Sequence, residues 1–188
     1  MLAQFFGAKM ADWPSLRGAL LGAQLLLSRA ALDDGAAAEL VAAMLAQVHV
    51  PSLVTAERLS ALECLGALAT QHPGAARAMG VSLLEGMAAA LDGEKEPRCL
   101  RAAFTAVAAL GGAGGSSWDE AALSPAAQEL HDQLAAYFPL VYSPPRGGSA
   151  DARAAAVPRA ALADALTAAL VCSPAFAERA RTPGARVR

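Results

Sequence analysis

Leucines recur along this chain at helical spacing, and the spacing itself recurs. Leu16, Leu20, Leu21, Leu25 and Leu27 form one apolar run, Leu59, Leu62, Leu65 and Leu68 a second, and Leu100, Phe104, Val107 and Leu110 a third. Apolar residues three and four apart share one face of an α-helix. The runs open at Leu16, Leu59 and Leu100, 43 and 41 residues apart, within the period of roughly 40–47 residues at which HEAT and armadillo helix pairs stack. The expected fold is all-α, an α-α superhelix of about four helix pairs. In such an array each pair buries its apolar stripe only against its neighbours.

Turn residues mark the units. Asp12-Trp13-Pro14 reads as a capping aspartate with a first-turn proline, and Asp33-Asp34-Gly35 ends that helix and caps a partner over about 36–48. A second pair follows Pro51-Ser52, its partner restarting at Pro73-Gly74 and carrying Met79, Leu83, Leu84, Met87 and Leu91. The third runs from Lys95 to Leu110, breaks at the glycine-rich 111–117 stretch and resumes to Phe138. After Tyr137-Phe-Pro-Leu-Val-Tyr-Ser-Pro-Pro145 and a flexible Arg146-Gly-Gly-Ser149, a fourth starts near Pro158 and re-enters at Ser173-Pro174. The expected division is a repeat region over 1–178 and a basic tail, or a truncated or misread end, over 179–188, where Pro183-Gly184 stops any helix. The chain reads as a fragment of a longer array.

Composition narrows function. Hydrophobic residues make up 55% of the chain and charged ones 17%, but much of the apolar share is alanine, which favours helix and buries little area. A net charge of −2 and a pI near 5.9 argue against the clearly basic face that direct nucleic-acid binding needs and leave only local patches open, and 5% aromatics give few stacking platforms. The longest apolar run, Gly18 to Ser28, is about half of the ~20 residues a membrane span needs. Three widely spaced cysteines fit a reducing compartment.

Several side chains invite chemistry and lack its spacing. Cys64, Cys99 and Cys172 are not in close-spaced sets, so buried thiols are expected, not cluster ligands. His49, His72 and His131 make no metal pair, and His72 reads as a helix C-terminal residue. Ser82 follows no strand and the 111–115 glycines lack a P-loop lysine, so neither a nucleophile elbow nor a phosphate cradle is expected. No catalytic residue, cofactor or metal is assigned.

Two segments remain as candidate partner surfaces. Asp92, Glu94, Lys95, Glu96, Arg98 and Arg101 make a charged turn, read either as a solvated inter-helix corner or as a partner-facing ridge, since the loops of repeat arrays often carry binding. Tyr137, Phe138 and Tyr142 either pack on the next repeat or line an exposed aromatic-proline groove.

Four motifs also carry a resemblance. Gln47-Val-His-Val-Pro-Ser-Leu53, Asp92-Gly-Glu-Lys-Glu-Pro-Arg98 with Ala103-Phe104, Tyr137-Phe-Pro139 with Ser143-Pro-Pro145, and Ser173-Pro-Ala-Phe-Ala-Glu178 occur in this order. Together they resemble the N-terminal part of the Mms-nineteen family, large HEAT-repeat scaffolds of cytosolic iron-sulfur protein assembly first named for nucleotide excision repair. The resemblance spans from Asp12-Trp-Pro-Ser-Leu-Arg-Gly18 to Glu178. It implies a non-enzymatic adaptor of the nucleus and cytoplasm whose partners are iron-sulfur assembly subunits and client proteins such as helicases, polymerases and primase. In the family the assembly subunits dock on C-terminal repeats. The alternatives are an unrelated α-solenoid scaffold or a small helical enzyme, the latter disfavoured by the sparse His, Asp and Ser.

Overall fold

A computed structural model describes residues 1–112, 124–143 and 156–181. Most of the glycine-rich break, Pro144-Pro145, Arg146–Ser149 and residues 182–188 lie outside the described residues. Those described form ten helices and no strand: α1 Leu2–Met10, α2 Trp13–Ser28, α3 Asp34–Gln47, α4 Thr55–Gln71, α5 Pro73–Met79, α6 Val81–Leu91, α7 Pro97–Gly112, α8 Pro125–Ala136, α9 Arg159–Leu170 and α10 Pro174–Arg181. Helices α2, α4, α7 and α9 stack in chain order as one row. A second row runs through α3, α5, α6 and α8. This is the expected α-α superhelix, with four pairs, the second of which has its partner split into α5 and α6, and α1 in addition.

Prolines and caps set the starts. Pro14, Pro73 and Pro125 occupy first-turn positions, where a missing N–H has no helical partner to lose. Asp33 Oδ1 accepts the Ala36 N–H at 2.8 Å and Ser124 Oγ accepts the Ala127 N–H at 3.2 Å, each neutralising an orphan donor and stabilising its helix by about 1 kcal/mol. Asp12 differs from expectation. It stands at the N-cap position of α2, but its carboxylate accepts the Ser15 hydroxyl at 2.6 Å instead of a backbone N–H.

Two elements depart from the sequence reading. Residues 2–10 form α1, which buries Ala3, Gly7 and Met10 and packs on both α2 and α3. The expected single helix from Pro73 to Leu91 is two helices. Gly80, with φ +51° and ψ −123°, turns the chain between them in a conformation that L side chains avoid.

Alanine decides how tightly the rows stack. Leu20, Leu27, Leu62, Leu65 and Leu68 are fully buried, each contributing about 1.5–3 kcal/mol. Between them small residues let backbones approach: a Cβ placed on Gly66 of α4 would lie 3.7 Å from the Ala106 Cβ of α7. Among the described residues no single helix is long and apolar enough to cross a membrane.

Candidate functional site

The charged turn between α6 and α7 has its centre inside the protein. Glu94 is only 6% exposed, and its carboxylate accepts Arg58 Nε at 2.7 Å and Arg58 Nη2 at 3.2 Å. Oε1 also accepts the N–H groups of Lys95 and Glu96, each at 2.8 Å. Arg58 reaches from the first turn of α4 and donates a further bond to the Leu53 carbonyl at 2.8 Å. Burial alone would raise the Glu94 carboxyl. The Arg58 hydrogen bond and the two backbone donors outweigh it and hold the group below its ordinary value. The same contact raises the Arg58 guanidinium.

Tyr137 closes this node from the third repeat. Its hydroxyl donates to the Glu94 carbonyl at 2.9 Å and lies 3.3 Å from the Leu91 carbonyl, while its ring meets Phe104 edge-on at 5.6 Å between centroids. Burial, then the charges of Glu94 and Asp92, raise its phenol. Tyr142 is fastened as well, its hydroxyl donating to the Val157 carbonyl at 3.1 Å. Beside it Arg159 Nη2 donates to the Leu140 carbonyl at 3.0 Å. Both tyrosines therefore pack. Phe138, between them in sequence, is 64% exposed, and Val141 is 96% exposed. The strap over 138–141 is thus pinned at both ends and presents apolar side chains outward.

The candidate residues separate into two groups. Glu94, Tyr137 and Tyr142 face inward and join repeats. Lys95 and Arg98 reach solvent, Glu96 is half-buried and binds Arg98 Nε at 3.0 Å, and Phe138 projects. A groove of about 450 Å³ borders the turn, with Pro51, Asp92, Gly93 and Lys95 on its walls. Sequence reasoning missed Arg58. Its signal was faint: a lone cation in the first turn of a leucine-striped helix, 36 residues before its partner.

His72 caps the C-terminus of α4, as expected. It follows the last turn of α4, but it is buried, with Nε2 3.2 Å from the Leu27 carbonyl and Nδ1 3.7 Å from Asp34 Oδ1. A carbonyl only accepts, so Nε2 carries the proton. The ring thus ties the second repeat to the first. Gly74 leaves room for Asp34, because a Cβ there would strike the Asp34 carboxylate.

The cysteines are dispersed. Burial pushes Cys64 up to about 12, Cys99 up to about 11 and Cys172 up to about 12, so each is a thiol at neutral pH and none is a ready thiolate ligand. The Cys64 and Cys99 thiols point at the carbonyls of Leu20 and Thr55, at 3.7 and 3.8 Å. Among the described residues no three His, Cys, Asp or Glu side chains converge as metal ligands do.

What this geometry can do is hold repeats in fixed register and display surface. Residues 1–182 match the sequence model of the MMS19 N-terminal family, described as a Dos2-interacting transcription regulator of RNA-Pol-II. The chain is 34% identical over 156 residues to an MMS19 nucleotide excision repair protein homolog of Arabidopsis thaliana, covering 81% of this chain and 14% of the relative. Homologs of the same name from Homo sapiens and Mus musculus are 30% and 28% identical over 159 residues, covering 85% of this chain and 14% of each relative. The chain thus spans about one seventh of the length of these relatives. With a match across nearly all of its residues, on a stacked helical array of the expected period, the chain belongs to the MMS19 N-terminal family.

Proposed function

We propose that this chain forms part of a non-enzymatic adaptor of cytosolic iron-sulfur protein assembly, which brings assembly subunits to apo-proteins of DNA metabolism and repair. The observation that carries the reading is the family match over residues 1–182. The architecture supports it: Arg58, Glu94, His72 and Tyr137 are occupied in joining repeats. What remains for a partner is extended surface along the turns. The adaptor works in both nucleus and cytoplasm, where its clients, helicases, polymerases and primase, are made and used. It holds no cofactor of its own, and the cluster is its cargo.

The test is client iron content. Cells depleted of the protein are fed radioactive iron, and primase and a DNA-repair helicase are immunoprecipitated and counted. Loss of iron from these clients, with mitochondrial iron-sulfur enzymes unaffected, is the expected result. Unchanged client iron would overturn the assignment.

A second reading has one observation in its favour, the Dos2 interaction named in the description of the matching family. It makes the chain a binding platform in transcription control. Direct binding of a purified Dos2 homologue to this chain, with client iron unaffected by depletion, would select it over the first.

A further inference from the structure

Helices α4 and α7 lie side by side, and an open valley of about 490 Å³ follows their seam. Gly66, Ala102 and Ala106 make a shallow, small-residue floor, Leu59 adds an aliphatic wall, and Arg98 and Arg101 stand at one end. From Leu59 to Thr70 the lining follows α4 for about 17 Å at 1.5 Å per residue. That length accommodates roughly five residues of extended peptide.

The charges of the valley are unevenly satisfied. Its one carboxylate, Glu63, accepts Gln24 Nε2 at 2.7 Å, and Arg98 is held by Glu96 at 3.0 Å. Arg101 is exposed and makes no hydrogen bond or ion pair with a described residue. An exposed guanidinium beside apolar floor offers a planar fork that matches a carboxylate, next to surface that gains by covering an aliphatic side chain.

We propose that this valley docks a short partner segment carrying a carboxylate beside an aliphatic residue. The carboxylate pairs with Arg101, Arg98 adds its field, and the aliphatic side chain lies on Leu59, Gly66 and Ala102. A nucleic-acid strand fits less well. The valley carries no aromatic ring on which bases could stack. The inference does not depend on iron-sulfur assembly, because a scaffold with other clients would use the seam in the same way.

The experiment selects random phage-displayed peptides of roughly twelve residues on the whole chain, about twice the length the valley holds. The enriched peptide is then made with a fluorophore and titrated by anisotropy. The expected consensus has Asp or Glu within a residue or two of Leu, Ile, Val or Met. Arg101→Glu is expected to weaken binding by about tenfold or more, as loss of a charge-assisted hydrogen bond does. Thr105→Trp, placed on the exposed rim to obstruct the seam, should weaken it similarly. Arg29→Glu, on the surface at the end of α2 and outside the valley, should leave affinity within about twofold. All three sites are exposed, and unchanged thermal melts verify the fold. A consensus without carboxylates, affinity indifferent to both Arg101→Glu and Thr105→Trp, or displacement of the peptide by oligothymidylate of equal length would each overturn the proposal.

Discussion

The Arg58 guanidinium of α4 grips the Glu94 carboxylate through two hydrogen bonds, of 2.7 and 3.2 Å, across a sequence separation of 36 residues. The pair fixes the second repeat to the turn that opens the third. Removing one partner from a fully buried pair strands the other and costs about 3–5 kcal/mol, and this pair, with the Arg58 side chain 19% exposed, falls at the lower end. Glu94→Ala should destabilise by about that much in urea unfolding, and Arg58→Ala somewhat less, because Glu94 keeps its two backbone donors. The double variant should be less harmed than the sum, with a coupling of about 1–3 kcal/mol. Additive losses would show that the two side chains act separately.

Acid should weaken the fold in two stages. Burial, then the charge of Arg179, holds His131 below its ordinary value of 6.5. The unfolded chain therefore takes up this proton first, and stability falls as pH drops from 6.5 toward the folded-state value. Glu94 follows with the same sign, its stabilisation being lost as pH falls below the ordinary 4.5. His131 meets Phe176 of α10 edge-on at 5.1 Å, and its Nε2 has no hydrogen-bond partner. His131→Leu should remove the upper stage and flatten the urea midpoint between about pH 7 and pH 5. Glu94→Gln should flatten the lower one.

The aromatic strap should divide by function. Tyr137→Phe deletes the donor to the Glu94 carbonyl and keeps the ring on Phe104, at a cost of about 1–2 kcal/mol in chemical denaturation. Phe138→Ala touches an exposed ring and should change stability by less than about 0.5 kcal/mol. If Phe138 serves recognition, its loss appears in binding alone. A Phe138→Ala chain that melts well below the parent would reassign it to the core.

Thiol chemistry should be silent in the native state. Cys64 and Cys172 at about 12, and Cys99 at about 11, leave a negligible thiolate fraction at neutral pH. Ellman's reagent should label the folded chain only slowly and all three cysteines promptly in guanidinium. Fast labelling of the native chain at one site would mean that its helix opens locally.

The repeat period and the helix starts were legible because they rest on local rules. Leucine spacing gave the rows, and Pro14, Pro73 and Pro174 marked where helices begin. Helix α1 was not legible, since Leu2–Met10 is short and has no capping side chain or first-turn proline to announce it. The break at Gly80 was not read because glycine inside a helical pattern is as often tolerated as obeyed. At the candidate site the local pattern misled. A run of charges reads as solvent-facing, and only the fold brings Arg58 to the Glu94 carboxylate and Tyr137 to the carbonyls of the same turn. Such long-range donors have no period and no neighbour to announce them.

Four of the bonds that join the repeats have a one-sided chemistry. His72, Tyr137, Tyr142 and Arg159 each deliver a side-chain donor to a backbone carbonyl, at Leu27, Glu94, Val157 and Leu140 respectively. Every amino acid supplies that carbonyl, whereas few supply an N–H or O–H at the right reach. As far as these locks are concerned, the receiving positions are free to drift and the donating positions are not, Glu94 excepted because its carboxylate also holds Arg58, so the superhelix can keep its curvature while the identity of the residues along its receiving edges turns over.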